Sequence, residues 1–174
     1  MIEKITFIHI LTASLLVEII MLYKFKFTPS SQAITNWYKN LKWTAVLLDV
    51  ISIMIGFYIA KFLYEYLINH NYINRKNEFR NFLILVLLVQ IIHDFLFYFF
   101  VIKPYPKFKN KVIDEFKAYA KHYQSQAIFA DSMIYLFTTP LLYFFISKQS
   151  ETINTFISLV CIYLMGYFIH QKSL

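Results

Sequence analysis

The stretch FLILVLLVQIIHDFLFYFFVI at residues 82–102 decides the class of protein to which this chain belongs. Asp94 is its only residue with a formal charge, and nearly all of the other side chains are apolar. An α-helix needs about 20 predominantly apolar residues to cross the hydrocarbon core of a bilayer. The stretch therefore predicts a helix that spans a membrane.

Four further apolar runs of similar character lie at residues 5–23, 43–67, 127–146 and 153–169. Lipid offers no hydrogen bonds to backbone N–H and C=O groups, so a spanning segment has to satisfy these groups internally. A helix does this within one segment. The sequence predicts an all-α membrane protein, in which residues 1–174 form a single domain that is a bundle of five transmembrane helices.

The amino-acid composition indicates the same class of protein. Hydrophobic residues make up 59% of the chain and charged residues 16%, whereas soluble domains have about 45–50% and about 25%. Glycine occurs twice and proline four times, which favours long helices over a sheet with frequent turns. Cys161 is the single cysteine, and this excludes an internal disulfide.

Lys and Arg residues are distributed unevenly between the two ends of the predicted spans. One end of the spans carries eleven Lys residues, in loops 24–42 and 103–126 and at Lys172. The opposite end carries five Lys and Arg residues, and Lys61 lies inside the second span. Positive residues favour the cytoplasmic side of a membrane. The pattern predicts an extracytoplasmic N-terminus and a cytoplasmic C-terminus. This orientation explains most of the net charge of +7, so no nucleic-acid partner is expected.

The 103–126 loop has a helical pattern of its own. Pro104 and Pro106 are expected to end the third span, because proline cannot continue a helix. Between residues 107 and 123, apolar side chains recur at helical spacing among lysines and acids. The pattern predicts a basic amphipathic helix over 107–123 that lies in the cytoplasmic interface of the membrane.

The lysines of this loop are the predicted lipid-interface residues. Anionic headgroups attract basic residues next to a membrane span, so membrane lipids at the cytoplasmic face are the expected partners, with a protein partner as the alternative. The sequence leaves the oligomeric state open, a homo-oligomer included. The lysines are Lys103, Lys107, Lys109, Lys111, Lys117 and Lys121.

The most informative residues are the ionisable ones inside the spans, because each is costly to place there. Four carboxylates and one histidine, from four different spans, all fall in the cytoplasmic half of the membrane in the predicted orientation. Polar neighbours at helical spacing indicate that these faces point toward other helices or water. The cluster comprises Asp49, His93, Asp94, Asp131 and Glu18, with the neighbours Ser52, Gln90, Tyr98 and Tyr135.

Three kinds of chemistry fit this cluster. Carboxylates at one depth suit proton or cation handling, and His93 can serve as a proton partner. The same residue types can ligate a divalent metal that attacks a lipid headgroup, but the chain has no recognised metal motif. Metal ligands therefore stay unknown and no cofactor is predicted. Buried Asp and Tyr side chains also join helices by hydrogen bonds without any further role.

Four short segments carry a resemblance to other proteins. They are KPYP at residues 103–106, VIDEFKAYA at 112–120, ADS at 130–132 and the pair His93–Asp94. Together they resemble uncharacterised multi-pass membrane proteins of large DNA viruses and marine metagenomes. The resemblance covers the second to fourth spans and implies no activity. It implies a viral internal membrane or a host membrane as the setting.

These observations rank three functional hypotheses. The leading one is a small transporter-like or channel-like protein that handles protons or cations through the Asp/His cluster. The alternative is a structural protein that scaffolds a cellular or virion membrane without transport. A metal-dependent lipid-modifying enzyme is the least favoured of the three.

Overall fold

The computed structural model of the chain describes residues 1–28, 31–123 and 125–171. Within these residues the fold is all-helical, with seven α-helices and no strand. Lys172, which contributed to the predicted orientation, lies outside the described residues. The helices are α1 (Phe7–Phe27), α2 (Gln32–Leu41), α3 (Trp43–Asn69), α4 (Glu78–Phe97), α5 (Lys111–Tyr123), α6 (Ser125–Pro140) and α7 (Glu151–His170).

Five helical segments of the described chain are long and apolar enough to cross a membrane. Each contains most of one predicted span, so the prediction of five helical spans is confirmed, and the chain is compatible with an integral membrane protein. The helices extend past some apolar runs because charged residues also fit helix ends. The segments are Phe7–Phe27, Trp43–Asn69, Arg75–Ile102, Gln126–Lys148 and Glu151–His170.

α1 lies at the centre of the bundle, where it packs against α3, α6 and α7. Its contact with α7 is polar as well as apolar. Thr12 Oγ1 lies 2.8 Å from Ser158 Oγ and donates to the Asn154 carbonyl oxygen at 3.1 Å. Hydrogen bonds between helices stabilise packing in lipid, where apolar burial alone gives little driving force.

The remaining spans pack in the order α3, α4, α6. The turn between the fourth and fifth spans is short and consists of a 3₁₀ turn, Ile146–Lys148, followed by the N-cap Ser150. The two helices that it joins nevertheless pack mainly on others, α7 on α1 and α6 on α4. The insertion of α1 beside both of them explains this arrangement.

Two spans change to π-helical geometry near one end. α4 continues as a π-helical turn over Tyr98–Ile102, just before Pro104. α6 continues as a π-helical turn over Leu141–Phe145, directly after Pro140. Proline has no N–H to donate, so Pro140 interrupts the regular hydrogen bonds of the fourth span where its π-helical turn begins.

The two short helices at the α2–α5 end of the bundle differ from expectation. α2 forms in a segment expected to be a loop, and Ser31 caps it by accepting from Ile34 N at 3.3 Å. α5 begins at Lys111 rather than 107. Its apolar face packs on the protein: the Phe116 ring lies 4.6 Å from that of Trp37. The interfacial position predicted for this helix is therefore not confirmed, because the face expected to enter lipid covers the bundle.

Gly56 provides a test of the packing between α3 and α6. A Cβ at Gly56 would overlap the Tyr135 hydroxyl and lie 2.9 Å from its ring carbon Cζ. We expect Gly56→Ala to displace the Tyr135 ring and destabilise the protein by about 1–3 kcal/mol, seen as a lower unfolding temperature in detergent. At Gly166 the nearest atom, Trp43 Cζ2, is 3.7 Å away, so Gly166→Ala is the matched control. Equal unfolding temperatures for the two variants would contradict the packing.

Candidate functional site: an acidic cavity

A cavity of about 320 Å³ lies among α1, α3, α4 and α6, at the end of the bundle that α2 and α5 cover. It is lined by eight of the nine polar residues singled out in the sequence. All four carboxylates of the predicted cluster are among them, and the lining residues described include no Lys or Arg. The eight residues are Glu18, Asp49, Ser52, Gln90, His93, Asp94, Asp131 and Tyr135.

Glu18 of α1 and Asp49 of α3 share one hydrogen-bond donor. The Tyr38 hydroxyl lies 3.1 Å from Glu18 Oε1 and 3.4 Å from Asp49 Oδ2. Trp37 Nε1 donates to the same Asp49 oxygen at 3.1 Å. Both donors belong to α2, so this short helix supplies the hydrogen bonds that two acids from other helices require. Glu18, Tyr38 and Asp49 form the first acidic group of the cavity.

Asp94 of α4 is held by side chains of its own helix. Gln90 Nε2, one turn earlier, donates to Asp94 Oδ2 at 2.6 Å, and His93 Nδ1 lies 3.4 Å from Asp94 Oδ1. Phe97 stacks on the His93 ring with centroids 5.7 Å apart. The His93 side chain is 38% exposed and that of Asp94 is 19% exposed. Asp94 is therefore both oriented and accessible.

Asp131 of α6 faces the same space and lies within electrostatic range of Asp94 and Asp49. Within the part of the chain that the structure describes, no side chain donates a hydrogen bond to it. One turn later, the Tyr135 hydroxyl donates to the Ser52 carbonyl oxygen at 3.1 Å. Asp131 together with Asp94 forms the second acidic group of the cavity.

Tyr98 is the predicted site residue that the structure places elsewhere. It lies at the start of the π-helical turn, is 40% exposed, and packs edge-on against Phe99. The prediction used the spacing i, i+4, i+8 from Gln90. Eight residues of an α-helix return about 80° away from the starting direction, because each residue turns the helix by about 100°. Tyr98 is therefore rotated away, and Phe97 lines the cavity instead.

Four aromatic residues of α2 and α5 line the cavity but were absent from the predicted site. Trp37 is only 6% exposed. The missed signal is the spacing of apolar residues in α2 at i, i+3, i+4 and i+7, which is typical of an amphipathic helix. The four are Trp37, Tyr38, Phe116 and Tyr119.

α2 and α5 are bonded to each other as one cover over the cavity. Asn40 Nδ2 donates to Glu115 Oε1 at 2.7 Å, and Lys111 Nζ donates to the Asn40 carbonyl oxygen at 2.8 Å. The hydroxyls of Ser31 and Tyr123 are also hydrogen-bonded. These contacts couple the position of α5 to that of the α2 residues that touch the acids.

Burial and the nearby carboxylates of Glu18 and Asp49 raise the pKa of Tyr38 well above its usual value. Burial likewise raises the pKa of Tyr119, with the charge of Asp131 adding to the effect. Both phenols therefore stay protonated at neutral pH. Tyr38 is thus a permanent donor to the first acidic group.

The arrangement can bind positive charge. Carboxylates in a membrane interior need protons, cations or paired basic residues to offset their charge. Within the described residues, no group of three or more His, Cys, Asp or Glu side chains is placed to hold a metal ion.

Comparison with protein-family models, with curated proteins and with solved structures finds no match. The fold and cavity define an all-helical chain with an acidic cavity and five helices that are long and apolar enough to cross a membrane, which is compatible with a multi-pass membrane protein. Any more specific function has to be argued from the residues of this chain.

Tyr38 provides a test of the hydrogen bonds at the first acidic group. We expect Tyr38→Phe to destabilise the protein by about 1–3 kcal/mol, because the buried Glu18 loses its donor. Thermal unfolding in detergent measures the change. Tyr23→Phe is the control, since Tyr23 is 56% exposed and lies outside the cavity lining. If both variants unfold at the wild-type temperature, Tyr38 does not have this role.

Proposed function

We propose that the protein is a small membrane transporter that binds protons or cations in the acidic cavity. The observation that carries the proposal is the convergence of four carboxylates from four helices on one cavity, with no Lys or Arg among the described lining residues. Acids inside a membrane protein are typical of ion pathways and proton relays. His93 Nδ1 lies 3.4 Å from Asp94 Oδ1 and adds a polar group beside this acid.

The packing beyond the cavity favours a transporter over an open channel. Continuing along α3 and α4 from the cavity, Phe57, Tyr64, Phe82 and Val86 are at most 1% exposed and belong to one apolar cluster. This cluster fills the bundle between the cavity and the opposite end. A bound cation can therefore pass only if the helices move, which is how alternating access works.

The carboxylates can be tested in proteoliposomes loaded with a pH indicator or with a cation tracer. We expect the double variant Asp49→Asn/Asp94→Asn to reduce flux by about tenfold or more, because amides keep the shape but cannot carry the negative charge. Glu151→Gln is the matched control, since Glu151 is exposed at the first turn of α7. If the wild-type protein gives no flux, or if the double variant gives the same flux as the wild type, the transport proposal is wrong.

The proposed orientation places the N-terminus outside and the cavity end in the cytoplasm, as the lysine distribution predicts. Lys4 and Lys109 are both exposed, at opposite ends of the bundle. In a Cys161→Ala background, we expect Lys4→Cys to react with an impermeant maleimide added to intact cells. Lys109→Cys should react only after permeabilisation. The reverse pattern would overturn the orientation.

We also propose that the loop before α5 contacts anionic headgroups. Lys107 and Lys109 are exposed and flank Phe108, which is 91% exposed. A solvent-facing aromatic ring between lysines suits a membrane interface. Lys103 and Lys121 are exposed as well, whereas Lys111 and Lys117 bond to the carbonyl oxygens of Asn40 and Tyr105. Such contacts would also serve a scaffold in a viral or host membrane, which the flux experiment separates from a transporter.

A further inference from the structure

Two buried side chains of the cavity lining each have an acceptor oxygen to which no described residue donates. Glu18 is 2% exposed, and Tyr38 donates to its Oε1, but its Oε2 accepts no hydrogen bond from the described residues. Gln90 is also 2% exposed, and its Nε2 donates to Asp94, which leaves its Oε1 without a donor from that same part of the chain. Both residues line the cavity. A ligand in the cavity that supplies N–H or O–H groups can therefore donate to both acceptors.

The size of the cavity exceeds what a single dehydrated ion fills. Its volume of about 320 Å³ falls at the lower end of the range for small-molecule sites, about 300–1,000 Å³. A water molecule takes up about 30 Å³ in the liquid. The cavity therefore has room for a ligand with a carbon skeleton in addition to its charge.

The apolar part of the cavity lining includes aromatic rings as well as aliphatic side chains. Trp37, Phe97, Phe116 and Tyr135 line the cavity together with the carboxylates. Aromatic faces attract ammonium groups and also pack well against methylene groups. This lining suits a cation with an aliphatic body better than it suits a hydrated inorganic ion.

The acids form two groups rather than one. Glu18 and Asp49 share Tyr38, whereas Asp94 and Asp131 lie on α4 and α6 with His93 and Gln90 nearby. Each group can neutralise one ammonium ion, and each has an acceptor without a donor, Glu18 Oε2 in the first and Gln90 Oε1 in the second. A ligand with an amine at both ends matches this division.

We propose that the cation bound in the acidic cavity is an aliphatic diamine or a longer polyamine in its ammonium form. This inference rests on the proposed function, because it names the class of cation that the carboxylates handle. One ammonium group donates to Glu18 and Asp49, and the other donates to Asp94, Asp131 and Gln90. The methylene chain lies against the aromatic rings. A quaternary ammonium ion has no N–H and would leave both acceptors unsatisfied.

Calorimetry on the purified full-length chain in nanodiscs tests the inference. The probes are 1,4-diaminobutane, 1-aminobutane, tetramethylammonium and potassium, each as its chloride. We expect the diamine to bind about tenfold or more tightly than the monoamine, because the second amine binds intramolecularly at high effective concentration. We expect tetramethylammonium and potassium to bind more weakly than both. Equal affinity for diamine and monoamine, or no amine binding, would overturn the inference.

Two variants locate the ends of the ligand. Glu18→Gln and Asp131→Asn should each lower diamine affinity toward that of the monoamine, while monoamine affinity falls by no more than about twofold because the other acidic group remains. Glu151→Gln should leave diamine binding unchanged. A loss of diamine binding that is the same in all three variants would contradict the assignment. The wild-type comparison stands even if a variant fails to fold.

Flux measurements separate this inference from the proposed function. Proton or potassium flux without amine binding would overturn the amine inference and leave the transporter proposal intact. Diamine binding without flux of any cation would support the assigned ligand and overturn transport. Diamine flux that is lost in Asp49→Asn/Asp94→Asn would support both.

Discussion

A carboxylate inside a membrane protein has to be solvated by the protein itself, and this constraint organises the cavity end of the bundle. Lipid supplies neither donors nor cations. Tyr38 and Trp37 supply the donors for Glu18 and Asp49, and both belong to a short helix that lies outside the spans. α2 packs against the bundle with the side chains that these two acids contact. Its apolar face is buried as well, because Trp37, Tyr38 and Leu41 belong to one hydrophobic cluster with Leu22 and Val46.

The same constraint separates the two halves of the bundle. At the α2–α5 end the helices leave a cavity, and acids from four helices line it. At the other end, apolar side chains pack closely around Phe57 and Phe82, whose ring centroids are 6.2 Å apart. Tyr135 lies where the halves meet: its ring packs on Phe57, and its hydroxyl donates to Ser52. Gly56 allows this close approach of α3 and α6.

The five spans were predictable because their signal is local. Each is a run of apolar residues, and backbone hydrogen bonding in lipid permits only one structure for it. Helical spacing placed six of the eight predicted residues that line the cavity, on α3, α4 and α6, and depth in the membrane added Glu18 and His93. Tyr98 was misplaced because a repeat of four residues drifts around a helix of 3.6 residues per turn. Gln90 and Asp94 share one face of α4, but the residue four positions after Asp94 has already turned away from that face.

The packing of α2 and α5 over the cavity could not be predicted from the sequence, for a different reason. α2 and α5 are short and amphipathic, and an amphipathic pattern shows that one face is buried without showing what buries it. Lipid and protein are equally good partners for the apolar face of α5. The choice depends on Trp37 meeting Phe116, which is a contact between segments far apart in the chain. The basic residues around α5 favoured the lipid interpretation, although Lys111 bonds to α2 instead.

On the proposed function, this cover links ligand binding to conformational change. α2 carries donors to Glu18 and Asp49 and is bonded to α5 through Asn40. Movement of the pair away from the bundle would remove donors from both acids, which would then depend on a cation for neutralisation. Return of the cover over a bound cation would restore those donors and add aromatic contacts. A ligand shifts such an equilibrium only by its differential affinity for the two states. A cation that contacts both the acids and the rings of the cover binds the closed state more tightly than the open state. A proton on one carboxylate gains no affinity from the rings.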